Sequence, residues 1–231
     1  MIPISNIDSA FWPKLVQGAQ AMGASPISLA LVMLSESSIN PKARNPSDTS
    51  LPPVAVGLNQ LSLPSRTFQG VVGDNVDPDA FLTWPASVQL DYALKYFRGV
   101  YSAHPGALQG GARDLYWLNF MPATYVAGAG DDHVITNEGW AVSANPSLAD
   151  PDGVIRAGGL KRALDAAANA SYNAARWQAA VQNINELLPQ VAVSSSGAAN
   201  AAMASITFLA AGGAAYLFLK NRQGKAKRKA A

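Results

Sequence analysis

Residues Ala198 to Leu219 form a run of 22 residues without a single charged side chain. Six basic residues follow it at once, Lys220, Arg222, Lys225, Lys227, Arg228 and Lys229, with no acid among them. This run divides the chain into a body and an appendage. A helix crossing a bilayer core needs ~20 residues, and a helix satisfies its own backbone hydrogen bonds, as lipid demands. Asn200 is the only strongly polar member, and Ser205 and Thr207 are able to bond back to a helix. Alanine dominates, so Ile206, Phe208, Leu209, Tyr216, Leu217, Phe218 and Leu219 supply most of the transfer energy. The expectation is a transmembrane helix over 198–219, with a lipid bilayer as partner. The positive-inside rule puts the basic tail, 220–231, on the cytoplasmic side and the body on the periplasmic side. Competing readings are a buried Ala-rich helix with a solvated basic tail and, less favoured, a tail that binds nucleic acid.

Ser194-Ser195-Ser196-Gly197 has the composition of a flexible linker, which places the expected boundaries at 1–190 for the folded domain and 191–197 for the linker. With the basic tail set apart, the rest carries 11 basic and 15 acidic side chains, a sum of −4. A mildly acidic body gives no footprint for nucleic acid. The chain has no cysteine, so disulfides and thiolate metal sites are excluded. Met1-Ile2-Pro3-Ile4-Ser5 has neither a basic stretch nor an apolar core and does not read as a cleavable secretory signal.

Within the body, helical spacing prevails. Phe11, Leu15, Ala19 and Met22 predict a first helix over 6–23. Ser25 caps a second, with Pro26 in its first turn, where a missing N–H costs nothing. Asn40-Pro41 ends that helix near Ser38. Residues 41–56 read as a loop rich in Pro, Ser and Asn. Further helices are expected over 87–101 and 107–120, then a short one over 135–142. Residues 160–188 are expected as one long helix or two consecutive ones. No run alternates with period two and no internal repeat is visible, so the body is expected to be mainly α.

The chemistry-bearing stretch is Glu36-Ser37-Ser38-Ile39-Asn40-Pro41-Lys42-Ala43-Arg44-Asn45, followed after the loop by Ala55-Val56-Gly57-Leu58-Asn59-Gln60-Leu61. Glu36 follows Leu31, Met33 and Leu34 at the end of an apolar helix. A carboxylate against apolar walls is poorly solvated, so its pKa rises, and a glutamate protonated near neutral pH is a general acid. By itself, such a residue is more often an ordinary helix-end carboxylate.

The arrangement resembles the lytic transglycosylase family with a goose-lysozyme-like fold, of the soluble lytic transglycosylase type. That family's pattern is Glu-Ser, then Asn-Pro, a small residue, Ser or Asn, and finally Gly-Leu-x-Gln. Glu36-Ser37, Asn40-Pro41, Ala43, Asn45 and Gly57-Leu58-Asn59-Gln60 fit it in order. Asp114-Leu115-Tyr116-Trp117-Leu118-Asn119-Phe120-Met121-Pro122 is similar to the third motif of phage-type members, where a tyrosine lines the cleft near the acid. Trp140 to Leu164, with Asn145-Pro146, Asp152-Gly153 and Gly159-Leu160, resembles their closing segment. The resemblance covers about 10–165. The loop between Asn45 and Ala55 is longer than typical, and Ser62 stands where a hydrophobic residue often follows.

The resemblance implies a mainly α, lysozyme-like transglycosylase domain ahead of the transmembrane helix. It implies that Glu36 acts on peptidoglycan glycan strands, first as acid and then as base, with no cofactor and no metal. It also implies that Asn45 hydrogen-bonds Glu36 or the anomeric region. Ser37 supports the helix end, Gly57 lets backbone approach the sugar, and Gln60 and Tyr116 contact sugar N-acetyl groups. Asn119 either joins these substrate contacts or only caps a helix. Asp131-Asp132-His133 is read as a solvated loop, and Asp150-Pro151-Asp152-Gly153 lacks the acids a calcium loop needs at its first and twelfth positions. The tryptophans are read as core, with Trp84 or Trp117 able to border a cleft. Together with the expected anchor, the phage-like motif suggests a virion-associated protein for cell-wall penetration during genome delivery, alongside other virion or membrane proteins. Two other readings are a structural membrane or ejection-channel protein with a degenerate lysozyme-like domain, and a hydrolase (muramidase) of the same fold.

Overall fold

A computed structural model describes residues 1–46, 51–104, 107 and 111–195. The architecture is mainly α, organised around one helix. That helix is α2 (Pro26–Ser37), preceded by α1 (Phe11–Ala21). Its start is fixed as the sequence predicts: the Ser25 hydroxyl accepts from the Ser28 amide at 3.3 Å, with Pro26 at the first turn. Leu29, Ala30, Val32, Met33 and Leu34 are all buried, and a helix apolar on every side belongs inside a domain. Each such leucine or methionine side chain contributes about 1.5–3 kcal/mol by leaving water.

The α2 helix packs against α1, α6 (Gly111–Phe120), α8 (Ala157–Asn169) and α9 (Ser171–Ser195), while α5 (Ala86–Ala103) closes against α1 and α6. The first helix starts five residues later than expected. Pro13 has no N–H to return to an earlier turn, so it is tolerated only near a helix start. The expected helix over 107–120 is described from Gly111 onward. The long apolar stretch resolves into two helices, broken at Ala170, whose φ of −62° and ψ of 130° are extended. The helix α9 continues through Ser195, so residues 191–195, expected in the linker, are helical. The expected transmembrane run and the basic tail lie outside the described residues. Among the described residues no single helix is long and apolar enough to cross a membrane.

Two short antiparallel sheets interrupt the helices. The first has three strands in the order β1-β2-β3: β1 (Arg44–Asn45), β2 (Ala55–Val56) and β3 (Leu61–Ser62). It replaces much of the expected loop, and strands of two residues are too short to show alternation. The second sheet pairs β4 (Val134–Thr136) with β5 (Ile155–Arg156). This corrects the short helix expected over 135–142. The β-branched Val134-Ile135-Thr136 favour a strand, and the helix there, α7 (Gly139–Ala144), begins only at Gly139. Two further helices, α3 (Thr67–Val71) and α4 (Pro78–Phe81), were not expected from periodicity. The Asp77 carboxylate caps α4 by accepting from the Asp79 amide at 2.9 Å.

The interior has two parts. The larger cluster surrounds α2 and includes Leu58; the smaller one, under the three-stranded sheet, contains Val56, Leu61, Phe68, Val71 and Phe81. Tyr96 on α5 packs against both.

Candidate active site

Where α2 ends, the chain takes two successive left-handed residues, Ser38 at φ 56° and Ile39 at φ 51°. The Ile39 amide donates back to the Met33 carbonyl at 3.1 Å. Such a φ in a β-branched residue is disfavoured, and it is held here because the Ile39 side chain is fully buried. The turn leaves Glu36 in the last turn of α2, half-buried. Ser37 secures that end. Its Oγ lies 3.0 Å from the Met33 carbonyl and 2.8 Å from the Leu58 carbonyl, and it accepts from the Asn40 amide at 3.2 Å. Ser37 therefore pins α2 to the turn between β2 and β3, the supporting role expected of it.

Burial raises the Glu36 carboxyl from 4.5 to about 7, against the opposing pull of one hydrogen bond, from Asn119. Asn119, on the last turn of α6, donates its Nδ2 to Glu36 Oε1 at 2.8 Å. An amide donor stabilises the carboxylate, whereas loss of solvation disfavours it; here the loss of solvation wins. Among the described residues no second carboxylate is among the groups acting on Glu36. Asn119 also accepts, through Oδ1, from the Nδ2 of Asn59. Two phenols flank the acid. Tyr96 donates to the Leu118 carbonyl at 3.0 Å, and Tyr116, only 9% exposed, bonds the Ser35 side chain. Burial, chiefly, and the Glu36 charge push both phenols well above the ordinary tyrosine value, so they remain neutral donors.

The structure thus brings together Glu36, Ser37, Tyr116 and Asn119 from the predicted set. Asn119 is a partner of the acid rather than merely a cap. Three others sit differently. Asn45 is exposed in β1, and its described backbone bonds are those of the sheet edge, including its carbonyl with the Val54 amide at 2.7 Å. The Glu36 partner is Asn119, not Asn45. At Gly57, φ is +78°, and an added Cβ would lie 2.7 Å from Gln89 Oε1 and 2.8 Å from Phe81 Cε1. The missing side chain makes room for Gln89 and Phe81. Gln60 points its Nε2 at the carbonyls of Gly57 (3.0 Å) and Ala43 (3.3 Å), tying the β2–β3 turn to the residue just before β1.

Asn59 and Tyr96 were missed. Asn59 occupies the variable position of Gly57-Leu58-Asn59-Gln60, where the pattern carries no weight. Tyr96 lies one residue before the apolar Phe97 of α5 and shows no motif.

The remaining candidates are structural. Trp117 is fully buried, its Nε1 donating to Thr124 Oγ1 at 3.0 Å, and Trp84 packs on Phe81 and Tyr92. Asp131 pairs with Arg113 at 2.9 Å, while His133 lies against Trp117 and His104 against Tyr125. Asp150 and Asp152 each pair with Arg156 at 2.7 Å, and Asp150 also with Arg162, so these acids neutralise arginines. Among the described residues no group of three or more His, Asp or Glu is placed to hold a metal ion. Compared with protein-family models, with curated proteins and with solved structures, the chain returns no match, so its site is read from its own residues.

Proposed function

We propose that this protein is a peptidoglycan lytic transglycosylase, a lyase that cleaves the bond between the N-acetylmuramoyl and N-acetylglucosaminyl sugars with Glu36 as its one acid and base. The observation that carries the reading is Glu36 itself: half-buried, poised near pH 7, held by the Asn119 amide and, among the described residues, with no second carboxylate acting on it. An acid of this pKa is divided between its two forms at neutral pH, which suits a group that gives and then takes a proton. Most glycosidases divide these tasks between two carboxyl groups.

In the proposed reaction the Glu36 proton passes to the glycosidic oxygen as the bond from that oxygen to the muramoyl anomeric carbon breaks. The departing sugar leaves with a hydroxyl. The resulting carboxylate accepts the proton of the muramoyl C6 hydroxyl while that oxygen bonds to the anomeric carbon. The product is a 1,6-anhydro sugar, the acid is regenerated and no water is consumed. Because the nucleophile belongs to the substrate, proximity supplies much of the rate. Asn119 steadies the carboxylate between the two steps. The uncharged run 198–219 with its basic tail belongs to the same proposal. It anchors the domain to a membrane, consistent with a virion-associated protein acting on the wall during genome delivery.

Mass spectrometry of sacculi digested in 18O-labelled water tests the chemistry. Anhydro ends, lighter than reducing ends by one water and free of label, are expected. Label at every new end identifies a hydrolase instead. Glu36→Gln is expected to release no fragments, and fragment release at the wild-type rate would remove Glu36 from the reaction.

A further inference from the structure

Asn59 has no part in the bond-breaking chemistry, yet it is 2% exposed and linked to the acid through a single intermediate. We infer that Asn59 is a positioning residue: by donating to Asn119 Oδ1 it turns the Asn119 amide so that its Nδ2, and not its oxygen, faces Glu36. The inference rests on the reading of Glu36 as the acid.

An asparagine side chain has an acceptor end and a donor end on nearly identical shapes. Asn119, standing alone, is free to present either one to Glu36. Its oxygen would repel the carboxylate and favour the protonated acid; its NH2 group does the opposite. With Asn59 Nδ2 against Oδ1, a flipped Asn119 would bring two NH2 groups face to face, so the flip is disfavoured. The relay therefore commits Asn119 to the form that stabilises the anion produced by proton donation. It also occupies Glu36 Oε1, which leaves Oε2 to carry the proton. Asn59 keeps this orientation although its own Oδ1 is buried without a hydrogen-bond partner. A buried acceptor left unsatisfied is destabilising, and such groups persist where a site requires them. Among the described residues the titratable groups facing Glu36 are Tyr96 from α5 and Tyr116 from α6, both neutral throughout the relevant range. Neither competes with the relay for control of the acid.

The sequence makes this measurable, because Glu36, Glu138 and Glu186 are its only glutamates. Labelling the full chain with 13Cδ-glutamate gives three titration curves by NMR, and Glu36→Gln identifies which one belongs to the acid. Asn59→Ala is expected to raise the Glu36 midpoint by about 1 pH unit, the effect of weakening one hydrogen bond to a charged group. Asn119→Ala is expected to raise it similarly, and Asn59→Ala is expected to add nothing on top of Asn119→Ala, as for residues acting through one path. An unchanged midpoint in folded Asn59→Ala, or an equal further shift in the Asn119→Ala background, overturns the inference. If the alanine variant does not fold, Asn59→Ser, too short to reach Asn119, reads the same midpoint. The titration needs no substrate. A coupled midpoint in a wild-type protein that cleaves no glycan refutes the transglycosylase reading and leaves the relay standing, while normal cleavage with no coupling removes the relay alone.

Discussion

Glu36→Gln separates the stability of the fold from the chemistry of its acid, and it has a pH signature. The folded protein holds the Glu36 proton more tightly than the unfolded chain, about 7 against 4.5. Below about pH 4.5 both states are protonated and the site costs nothing. As pH rises from there to 7, the unfolded chain ionises first, so wild-type stability falls; above about pH 8 the loss is complete. At 1.36 kcal/mol per pH unit the full loss is about 3 kcal/mol, an upper figure because Glu36 keeps some contact with solvent. Glutamine never ionises, and its carbonyl oxygen still accepts from Asn119. The variant is therefore expected to match the wild type at pH 4 and to exceed it by up to about 3 kcal/mol at pH 8.5. For a body of this size that is roughly 6–12 °C in Tm. Urea and thermal unfolding of both proteins at pH 4, 5.5, 7 and 8.5 measure it. A difference that stays flat with pH, or a variant less stable than wild type at pH 8.5, would refute the account of Glu36 as a carboxyl raised by burial.

Gly57→Ala is expected to lose at least about 1–3 kcal/mol, because the new methyl group meets Gln89 and Phe81 at under 3 Å from a left-handed backbone; an unchanged urea midpoint would place the turn elsewhere. Tyr125→Phe removes the hydroxyl that donates to buried Asp114 at 2.6 Å, and is expected to lower stability by about 1–3 kcal/mol, with wild-type stability counting against that bond. A chain ending at residue 197 is expected to keep its cleavage activity and lose its affinity for lipid vesicles, read by co-sedimentation; equal partition with and without 198–231 removes the anchor from the proposal.

Much of the acid's setting is written locally. Ser25-Pro26 starts α2, Asn40-Pro41 stops it, and an unbroken apolar run between them puts Glu36 at the end of a buried helix. Each of these signals acts through a residue's own backbone or its nearest neighbours, so a linear reading recovers it. The β-branched Val134-Ile135-Thr136 were equally local, yet their strand exists only because β5 supplies its hydrogen bonds from some 20 residues away. The relay lay further out of reach. Asn59 meets Asn119 across 60 positions, and Asn119 meets Glu36 across 83. Nothing in the residues around any of the three encodes those distances. Asn45, Gly57 and Gln60 show the converse, since a motif lists residue types but not what each side chain faces. Their partners were decided when β1, β2 and β3 closed into a sheet, which turned Gly57 towards Phe81 and Gln89 and bound Gln60 to the Gly57 carbonyl of its own turn and to the Ala43 carbonyl just before β1. The place of Glu36 at the end of a buried helix was therefore local information. Its pKa and its hydrogen-bond partner were not, because solvation and amide geometry depend on every element that packs around the end of α2.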